Sequence, residues 1–204
     1  MTNFDDRASS WDDDPAKVRR AQTVAAAIRA AVHPDRTMTA LEYGCGTGLL
    51  SFALQGDLGE ILLADNAAGM LAVVDRKIAS AGVDHLSSIR LDLSSAPLPD
   101  RRFDLIYSLM TLHHVGDFQG LLTQFYALLR PSGHLCIADL DSEEGTYHDT
   151  DFAGHPGFDR GQLAAVLRRI GFIAVTFTTV FQIRKERAGQ IREYPLFLMV
   201  CRKP

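Results

Sequence analysis

The chain has few cysteines and no surplus of positive charge. Cys45, Cys136 and Cys201 are its only three cysteines in 204 residues, and they lie too far apart for the paired spacings of zinc or redox sites. The 21 Lys and Arg residues against 25 Asp and Glu give a net charge of -4, which argues against a nucleic-acid surface built from a basic field. We therefore expect a reduced protein that acts on a small molecule and binds no nucleic acid.

Long apolar segments are also missing. No run approaches the ~18 uninterrupted apolar residues that span a membrane, and the first residues lack the basic start and apolar stretch of a signal peptide. Internal repeats and low-complexity tracts are absent as well. Because one domain usually takes about 100 to 200 residues, we expect a single cytoplasmic domain over residues 1–204 without membrane contact.

The first 14 residues are polar and acidic, with Phe4 and Trp11 as large aromatic groups. We expect them to form a mobile lead-in, whose two rings either close over a ligand or cover the helix that follows. That helix is predicted to begin after Asp14, a good N-cap, because apolar residues recur at three and four residue spacing as far as Val32.

Beyond this helix, short apolar runs alternate with helical patterns. The predicted strands are Thr39–Tyr43, Ile61–Ala64, Leu86–Leu91, Phe103–Leu109 and His134–Ala138. The predicted helices are Leu49–Leu54, Ala67–Ala79 and Phe118–Leu129. Such alternation indicates right-handed βαβ crossovers and a mainly parallel sheet with helices on both faces.

The pattern changes near the end of the chain. Asp159, with Gln162 three residues later, resembles a capping box and predicts one more helix. Two apolar strands follow, Phe172–Phe181 and Tyr194–Cys201, separated by a charged turn region over Arg184–Gln190. Strands this close in sequence should form an antiparallel hairpin at the end of the sheet.

The most informative segment is the glycine turn LEYGCGTGL over residues 41–49, which joins a predicted strand to a predicted helix. Glycines permit positive φ and close ligand approach, and the helix N-terminus offers free N–H donors. A tight turn without a ligand is the alternative. A dinucleotide fingerprint places its third glycine three residues after the second, whereas Gly48 follows Gly46 by two. The spacing therefore predicts a cofactor site and disfavours NAD or FAD.

Two acidic residues follow the second and third predicted strands. Asp65 stands where a carboxylate can accept two hydrogen bonds from ribose hydroxyls. Its alternative role is the N-cap of the helix at Ala67. Asp92 is of the right type to accept a hydrogen bond from the exocyclic amine of adenine, although alone it could be a loop residue.

Together these motifs resemble the class I S-adenosylmethionine-dependent methyltransferases, in the type 11 branch similar to the ubiquinone and menaquinone methylases. The glycine turn looks like that family's first motif, and residues 103–115 and 128–135 resemble its fourth motif and its step into the fifth strand. The resemblance runs from about Trp11 to Cys201. It implies a Rossmann-like α/β fold with a mostly parallel seven-stranded sheet in the order 3-2-1-4-5-7-6, strand 7 antiparallel.

By this resemblance the cofactor is S-adenosylmethionine, the product is S-adenosylhomocysteine, and a small organic molecule receives the methyl group on oxygen, nitrogen, sulfur or carbon. The implied cofactor-binding residues are Glu42, Gly44, Cys45, Gly46, Thr47, Gly48, Asp65, Asn66, Met70, Asp92, Leu93 and Leu109. An NAD(P)-dependent oxidoreductase and a non-catalytic S-adenosylmethionine-binding partner protein remain as alternatives. We expect a monomer or a homodimer.

Methyl transfer from a sulfonium needs positioning more than acid or base chemistry, because the leaving thioether is neutral. Should the acceptor carry a proton, a histidine is the usual base, and the candidates are His113, His148 and His155. His113 and His114 follow the fourth strand, where the crevice opens, and as neighbours they are not expected both to face it. Residues 141–158 are predicted to form a substrate lid that places His148 and His155 across the crevice from His113.

Each of these histidines has a simpler alternative as a helix cap or a packed imidazole. The spacing of His148, Asp149, Asp151 and His155 is compatible with a metal site but is too irregular to favour one. The sequence therefore predicts no metal.

Overall fold

The computed structural model describes residues 4–148, 152–187 and 189–204. Within them, seven strands form one sheet: β1 Thr39–Tyr43, β2 Glu60–Asp65, β3 Leu86–Arg90, β4 Phe103–Leu109, β5 Leu129–Leu140, β6 Ile173–Arg187 and β7 Gln190–Arg202. Their order is β3-β2-β1-β4-β5-β7-β6. The pairs among β1 to β5 are parallel, and β7 is antiparallel to both neighbours. The predicted fold class and strand order are confirmed.

The helices pack on both faces of this sheet. They are α1 Phe4–Arg7, α2 Pro15–Val32, α3 Leu49–Leu54, α4 Ala68–Ala81, α5 Phe118–Leu128 and α6 Arg160–Ile170. Neighbouring strand residues point to opposite faces: Leu105 joins the core beneath α2, α3 and α4, whereas Ile106 joins the core beneath α5 and α6. No helix in the described residues is both long and apolar enough to cross a membrane.

The predicted caps set the ends of two helices. The Asp14 carboxylate accepts the backbone N–H of Ala16 at 2.9 Å and begins α2. His33, with φ of 52°, ends the same helix in the left-handed conformation. The Asp159 carboxylate accepts the N–H of Gln162 at 2.8 Å and begins α6. These three boundaries follow from local chemistry, so the sequence identifies them.

The terminal hairpin is longer than predicted. The prediction of a turn region over Arg184–Gln190 is therefore wrong. β6 continues as far as Arg187, and β7 starts at Gln190. The Arg184 guanidinium lies 2.8 Å from the Glu193 carboxylate on the opposite strand, whereas Lys185 lies opposite Arg192. One ion pair thus supports the cross-strand pairing of this charged stretch.

The N-terminal segment, residues 4–13, is helical and packed, which corrects the predicted mobile lead-in. It comprises α1 and a 3₁₀ helix, and Ala8 is buried against α4. The Asp5 carboxylate accepts the Gly69 N–H at 2.6 Å. The Asp12 carboxylate lies 2.8 Å from the Lys77 ammonium. This segment is held by contacts with α4, whose residues are distant in sequence. Its own weak apolar pattern therefore does not predict that it is packed.

Candidate functional site

A cavity of about 920 Å³ opens at the carboxyl ends of β1, β2 and β4. Its volume falls in the range of about 300 to 1,000 Å³ that is usual for small-molecule sites. The chain passes from β1 to β2 on one side and reaches β4 on the other. In open α/β sheets such a switch point is where ligands bind.

Most of the predicted cofactor residues line this cavity. They are Glu42, Gly44, Cys45, Gly46, Thr47, Asp65, Asn66, Met70, Asp92 and Leu109. Gly48 and Leu93 do not belong to the lining. A Cβ on Gly48 would lie 2.8 Å from a methyl carbon of Leu63, and the Leu93 N–H donates to the Tyr43 hydroxyl at 3.2 Å. For these two positions the structure indicates packing against the sheet instead.

The glycine turn has the left-handed backbone that its composition predicts. Gly44 and Gly46 have φ of 69° and 52°. A Cβ on Gly44 would come within 2.2 Å of the Thr111 side chain, whereas a Cβ on Gly46 would meet no atom within 4 Å. Gly44 therefore allows β1 and β4 to approach, and Gly46 keeps backbone exposed to the cavity.

Asp65, at the end of β2, holds this turn in place. One carboxylate oxygen accepts the Gly46 N–H at 2.7 Å, and the other accepts the Ala67 N–H at 2.9 Å. Burial raises the pKa of the carboxyl group. The Asn66 N–H also bonds to this carboxylate, and part of its acceptor capacity of about four lone pairs remains for a ligand hydroxyl. The N-cap of α4 is Ala67, so the alternative of Asp65 as the N-cap is wrong, whereas its contact with a ribose stays a prediction.

Asp92 likewise has a local role and lines the cavity. Its carboxylate accepts the N–H of Ser94 at 2.9 Å and the Ser94 hydroxyl at 2.6 Å. These bonds shape the loop after β3, and the remaining carboxylate oxygen is the acceptor that the sequence predicts for an adenine amine.

Glu42 is a buried acid in the wall of the cavity. Its carboxyl group accepts the Ser51 N–H at 3.1 Å and contacts the Ser51 hydroxyl, which lies 2.7 Å from the Tyr107 hydroxyl. Burial raises the pKa of Glu42 to about 8. At neutral pH this side chain is therefore mainly protonated, and a cation placed nearby would favour its ionised form.

At the other end of the cavity, His113 is paired with an acid that the sequence analysis missed. His113 Nδ1 lies 2.7 Å from Oδ1 of Asp139, and both side chains are buried. A carboxylate at that distance favours the tautomer with the proton on Nδ1 and leaves the lone pair on Nε2. That Nε2 atom is buried and has no hydrogen-bond partner among the described residues. An acid inside the apolar strand β5 is the signal that could have identified Asp139.

His114 and His148 lie beside His113 and also line the cavity. The ring centroid of His113 is 4.2 Å from that of His114 and 5.0 Å from that of His148. Two expectations are thereby wrong, because neighbouring histidines do share the cavity and His148 is not across the crevice. Leu112–His114 is a 3₁₀ turn, in which adjacent side chains are not forced to opposite sides as they are in a strand. Burial, and then the neighbouring His113 and Lys185, lower the pKa of His148 to about 4.

His155 is not part of this cluster. Its Nε2 lies 3.0 Å from the Val115 carbonyl oxygen, and its ring packs 5.1 Å from that of Phe118. It does not line the cavity. The bond to Val115 joins the segment after β5 to the turn after β4, which is a structural role and not the predicted catalytic one.

The predicted lid, residues 141–158, is described over 141–148 and 152–158. Asp149 and Asp151, which were considered as metal ligands, lie outside the described residues. Tyr147 and His148 line the cavity, and Lys185 of β6 lies 3.5 Å from the Tyr147 ring centroid. Basic residues of β6 thus line this end of the cavity. The sequence did not predict this, because these residues were assigned to a turn.

The N-terminal segment covers the cavity from the side of α4. Phe4 and Trp11 both line it, and the Phe4 ring lies 5.4 Å from that of His114. The Lys77 ammonium bonds to the Asp12 carboxylate and to the Thr47 carbonyl oxygen, each at 2.8 Å. Trp11 also contacts α2, since the Lys17 ammonium lies 3.9 Å from its ring centroid. Closure of the two rings over a ligand therefore stays a prediction.

Comparisons with known proteins agree with this geometry. A family model described as a methyltransferase domain matches residues 41–137. The ubiquinone/menaquinone biosynthesis C-methyltransferase UbiE of Pectobacterium carotovorum is 32% identical over 108 residues, which are 51% of this chain and 43% of that protein. The chain thus spans less than half the length of this curated relative.

Two solved structures share the fold over nearly the whole chain. One is the methyltransferase in a complex with the Haloferax volcanii Trm112 methyltransferase activator, with a TM-score of 0.77, 18% identity and coverage of 100% of this chain and 99% of that one. The other is DhpI in complex with SAH, with a TM-score of 0.74, 21% identity and coverage of 98% and 93%. Residues 41–137 thus match a methyltransferase domain, and the chain shares the seven-stranded fold of these two solved structures.

Proposed function

We propose that this chain transfers the methyl group of S-adenosylmethionine to a small organic acceptor that binds beside His113 and His148. One observation carries the proposal: the glycine turn, Asp65 and these two histidines line the same cavity. A donor held at the glycine turn and an acceptor held at the histidines would then share an enclosed space. Holding two reactants in this way can supply most of the rate enhancement without an obligatory base.

The donor end fits a nucleoside that carries a positive charge. The space that a side chain on Gly46 would occupy is empty, so a ligand can approach the backbone there. Asp65 keeps carboxylate lone pairs for ribose hydroxyls, and Asp92 keeps one oxygen for an amine. Glu42 can ionise when a cation approaches, which offsets the cost of placing that charge in a buried site. Bound S-adenosylmethionine would supply an electrophilic methyl group on its sulfonium.

The acceptor end offers neutral imidazoles beside Tyr147 and the basic residue Lys185 of β6. The lowered pKa of His148 keeps its ring uncharged at neutral pH. His113 presents the buried Nε2 atom that lacks a partner among the described residues. Phe4 and Trp11 line the same cavity, with the Phe4 ring beside His114, and would limit the access of water once a ligand is bound. Of the three histidines predicted to be catalytic, we propose His113 and His148 as contacts of the acceptor and set His155 aside.

The acceptor is proposed only as a class, a small organic molecule. The UbiE relative is named a C-methyltransferase of ubiquinone/menaquinone biosynthesis, and carbon is therefore one acceptor to test beside oxygen, nitrogen and sulfur. A cytoplasmic location and a monomeric or homodimeric state remain expectations from the sequence.

The test is native mass spectrometry of the purified protein, followed by incubation of metabolite extracts with a donor labelled in its methyl group. We expect bound S-adenosylmethionine or S-adenosylhomocysteine, and label that enters a small-molecule fraction only with the wild-type protein. The Asp65→Ala variant serves as the control that has lost donor contacts. Bound NAD without label transfer would favour an oxidoreductase, and donor binding without transfer to any extract would favour a non-catalytic binding protein.

A further inference from the structure

We propose that His113, His114 and His148 together bind a divalent transition-metal ion at the acceptor end of the cavity. One possible ligand atom from each of the three side chains lies within 4.8 Å of the others. The third histidine is separated from the first two by more than 30 residues in sequence, and β5 brings them together. Imidazole ligands suit Zn²⁺, Co²⁺, Ni²⁺ and Cu²⁺, whereas Mg²⁺ and Ca²⁺ require oxygen ligands.

The strongest evidence for this site is the environment of His113. Its side chain is fully buried, and its Nε2 atom has no hydrogen-bond partner in the described part of the chain. Leaving a buried polar atom without a partner destabilises the fold, so such an atom at a cavity wall points to a ligand. Its other nitrogen is held by the buried Asp139 carboxylate at 2.7 Å. Metal-binding histidines are typically oriented by a carboxylate in this way.

His148 provides a second nitrogen of the same kind. Its Nε2 is buried and without a partner among the described residues. Its ring is stacked on that of Phe152, with centroids 3.7 Å apart and an interplanar angle of 16°. This stacking fixes the plane of the ring. Two nitrogens without partners in the described ranges therefore belong to neighbouring rings, whose centroids are 5.0 Å apart.

His114 completes the set from the exposed side. Its ring makes T-shaped contacts with the rings of Phe4 and His148, and each pair of ring centroids is 5.4 Å apart. A metal with bonds of about 2.0 to 2.1 Å to each nitrogen requires the three atoms to move closer. His148 is half-buried and His114 is exposed, so rotations of these two side chains can provide that movement while His113 stays fixed by Asp139.

The ion would leave a coordination position open toward the cavity. Three protein ligands and one open position are the usual arrangement of a catalytic zinc site, and all three histidines line the cavity. An acceptor that binds there through oxygen, nitrogen or sulfur would lose its proton more readily. This consequence for the acceptor rests on the proposed function, whereas binding of the ion depends only on the three side chains.

The test uses tag-free protein that has been treated with a chelator and dialysed. Calorimetry with ZnCl₂ and absorption titration with CoCl₂ should each give one site per chain with micromolar or tighter affinity. We expect His113→Ala and His148→Ala to weaken binding at least a hundredfold, and Asp139→Asn to weaken it about 10 to 100-fold through the orientation of His113. His134→Ala, on β5 but outside the cluster, is the matched control and should bind like wild type.

Thermal melts and S-adenosylhomocysteine titrations on the same metal-free samples distinguish a misfolded variant, a missing metal site and a missing donor site. His114→Ala changes an exposed side chain, so it tests the site even where His113→Ala fails to fold. Zn²⁺ binding that is absent in wild type, or equal in wild type, His114→Ala and His148→Ala, would overturn the metal site while leaving donor binding intact. A cobalt spectrum with a thiolate charge-transfer band would assign the ion to Cys45 and equally contradict the proposal. Loss of S-adenosylhomocysteine binding in wild type would instead contradict the proposed function.

Discussion

The carboxylate of Asp65 accepts the backbone N–H of Gly46 at 2.7 Å, so the end of β2 holds the glycine turn that follows β1. The two residues are 19 positions apart and come from neighbouring parallel strands. Because this bond fixes the left-handed glycine against the cavity, the shape of the donor end depends on both residues. The first two predictions test them separately.

Gly46→Ala should weaken donor binding beyond its effect on stability. Gly46 and Gly82 both have positive φ, 52° and 62°, and a Cβ on either would meet no atom within 4 Å. Alanine at either position should cost about 1 to 2 kcal/mol of folding free energy because of the left-handed backbone. Only Gly46 lines the cavity, so only Gly46→Ala should reduce S-adenosylhomocysteine affinity, by tenfold or more in calorimetry. Equal affinity of the two variants would place the donor elsewhere.

Asp65→Ala should lower donor affinity on the order of a hundredfold, since about 3 kcal/mol of charge-assisted hydrogen bonding to the ribose is lost. The melting temperature should also fall modestly, because the Gly46 and Ala67 N–H groups lose their acceptor. Titration calorimetry and thermal melts measure the two effects. Asp84→Ala, which changes an exposed acid away from the cavity, is the control. If the Asp65→Ala protein is destabilised but its donor affinity is unchanged, Asp65 only stabilises the glycine turn and does not bind the donor.

Glu42 should make stability depend on pH. Its pKa is about 8 in the folded protein and 4.5 ordinarily, so between these values the folded state holds a proton that the unfolded chain releases. The free energy of unfolding contributed by Glu42 is therefore fully present below about pH 4.5 and falls as pH rises toward 8, by at most about 1.4 kcal/mol per pH unit.

Urea unfolding of wild type and Glu42→Gln at pH 5, 6.5 and 8 measures this effect. The variant cannot ionise at this position, so it should gain stability relative to wild type as pH rises. Glu144→Gln, which changes an exposed carboxylate, should keep a constant difference from wild type. Parallel pH profiles for wild type and Glu42→Gln would show that Glu42 is ionised in the folded protein.

Lys77→Met should loosen the N-terminal segment. The Lys77 ammonium joins Asp12 to the Thr47 carbonyl, at 2.8 Å from each, and a partly exposed charged contact of this kind contributes about 1 kcal/mol. Amide hydrogen exchange over residues 4–13 should therefore rise about fivefold. Arg76→Met, which alters the adjacent exposed residue of α4, is the control. Unchanged exchange in Lys77→Met would show that the apolar contacts of Ala8 hold the segment without this bridge.

The sheet and the donor end could be predicted because their signals are local. Strands such as Phe103–Leu109 are mainly apolar runs that end at the observed residues. The glycine turn is likewise recognisable from nine consecutive residues. Whether a motif residue reaches the cavity is a matter of packing, however. Gly48 and Leu93 belong to the same motifs as their neighbours, yet they contact Leu63 and Tyr43 instead.

The acceptor end could be predicted only in part, because its contacts are distant in sequence. The pair of His113 and Asp139 spans 26 residues, and His148 joins it through a loop without periodicity. The continuation of β6 to Arg187 depends on backbone pairing with β7, and the charged, glycine-containing composition of this stretch is typical of a turn. No local rule places these groups in one wall of the cavity, so only their types were predictable.

The most direct test of the account is calorimetry of the wild-type protein with S-adenosylmethionine, S-adenosylhomocysteine and NAD under identical conditions. The geometry of the glycine turn, Asp65 and Asp92 predicts one site per chain that binds the first two with micromolar affinity and gives no saturable heat with NAD. Tight NAD binding, with no response to either sulfur nucleoside, would contradict the account.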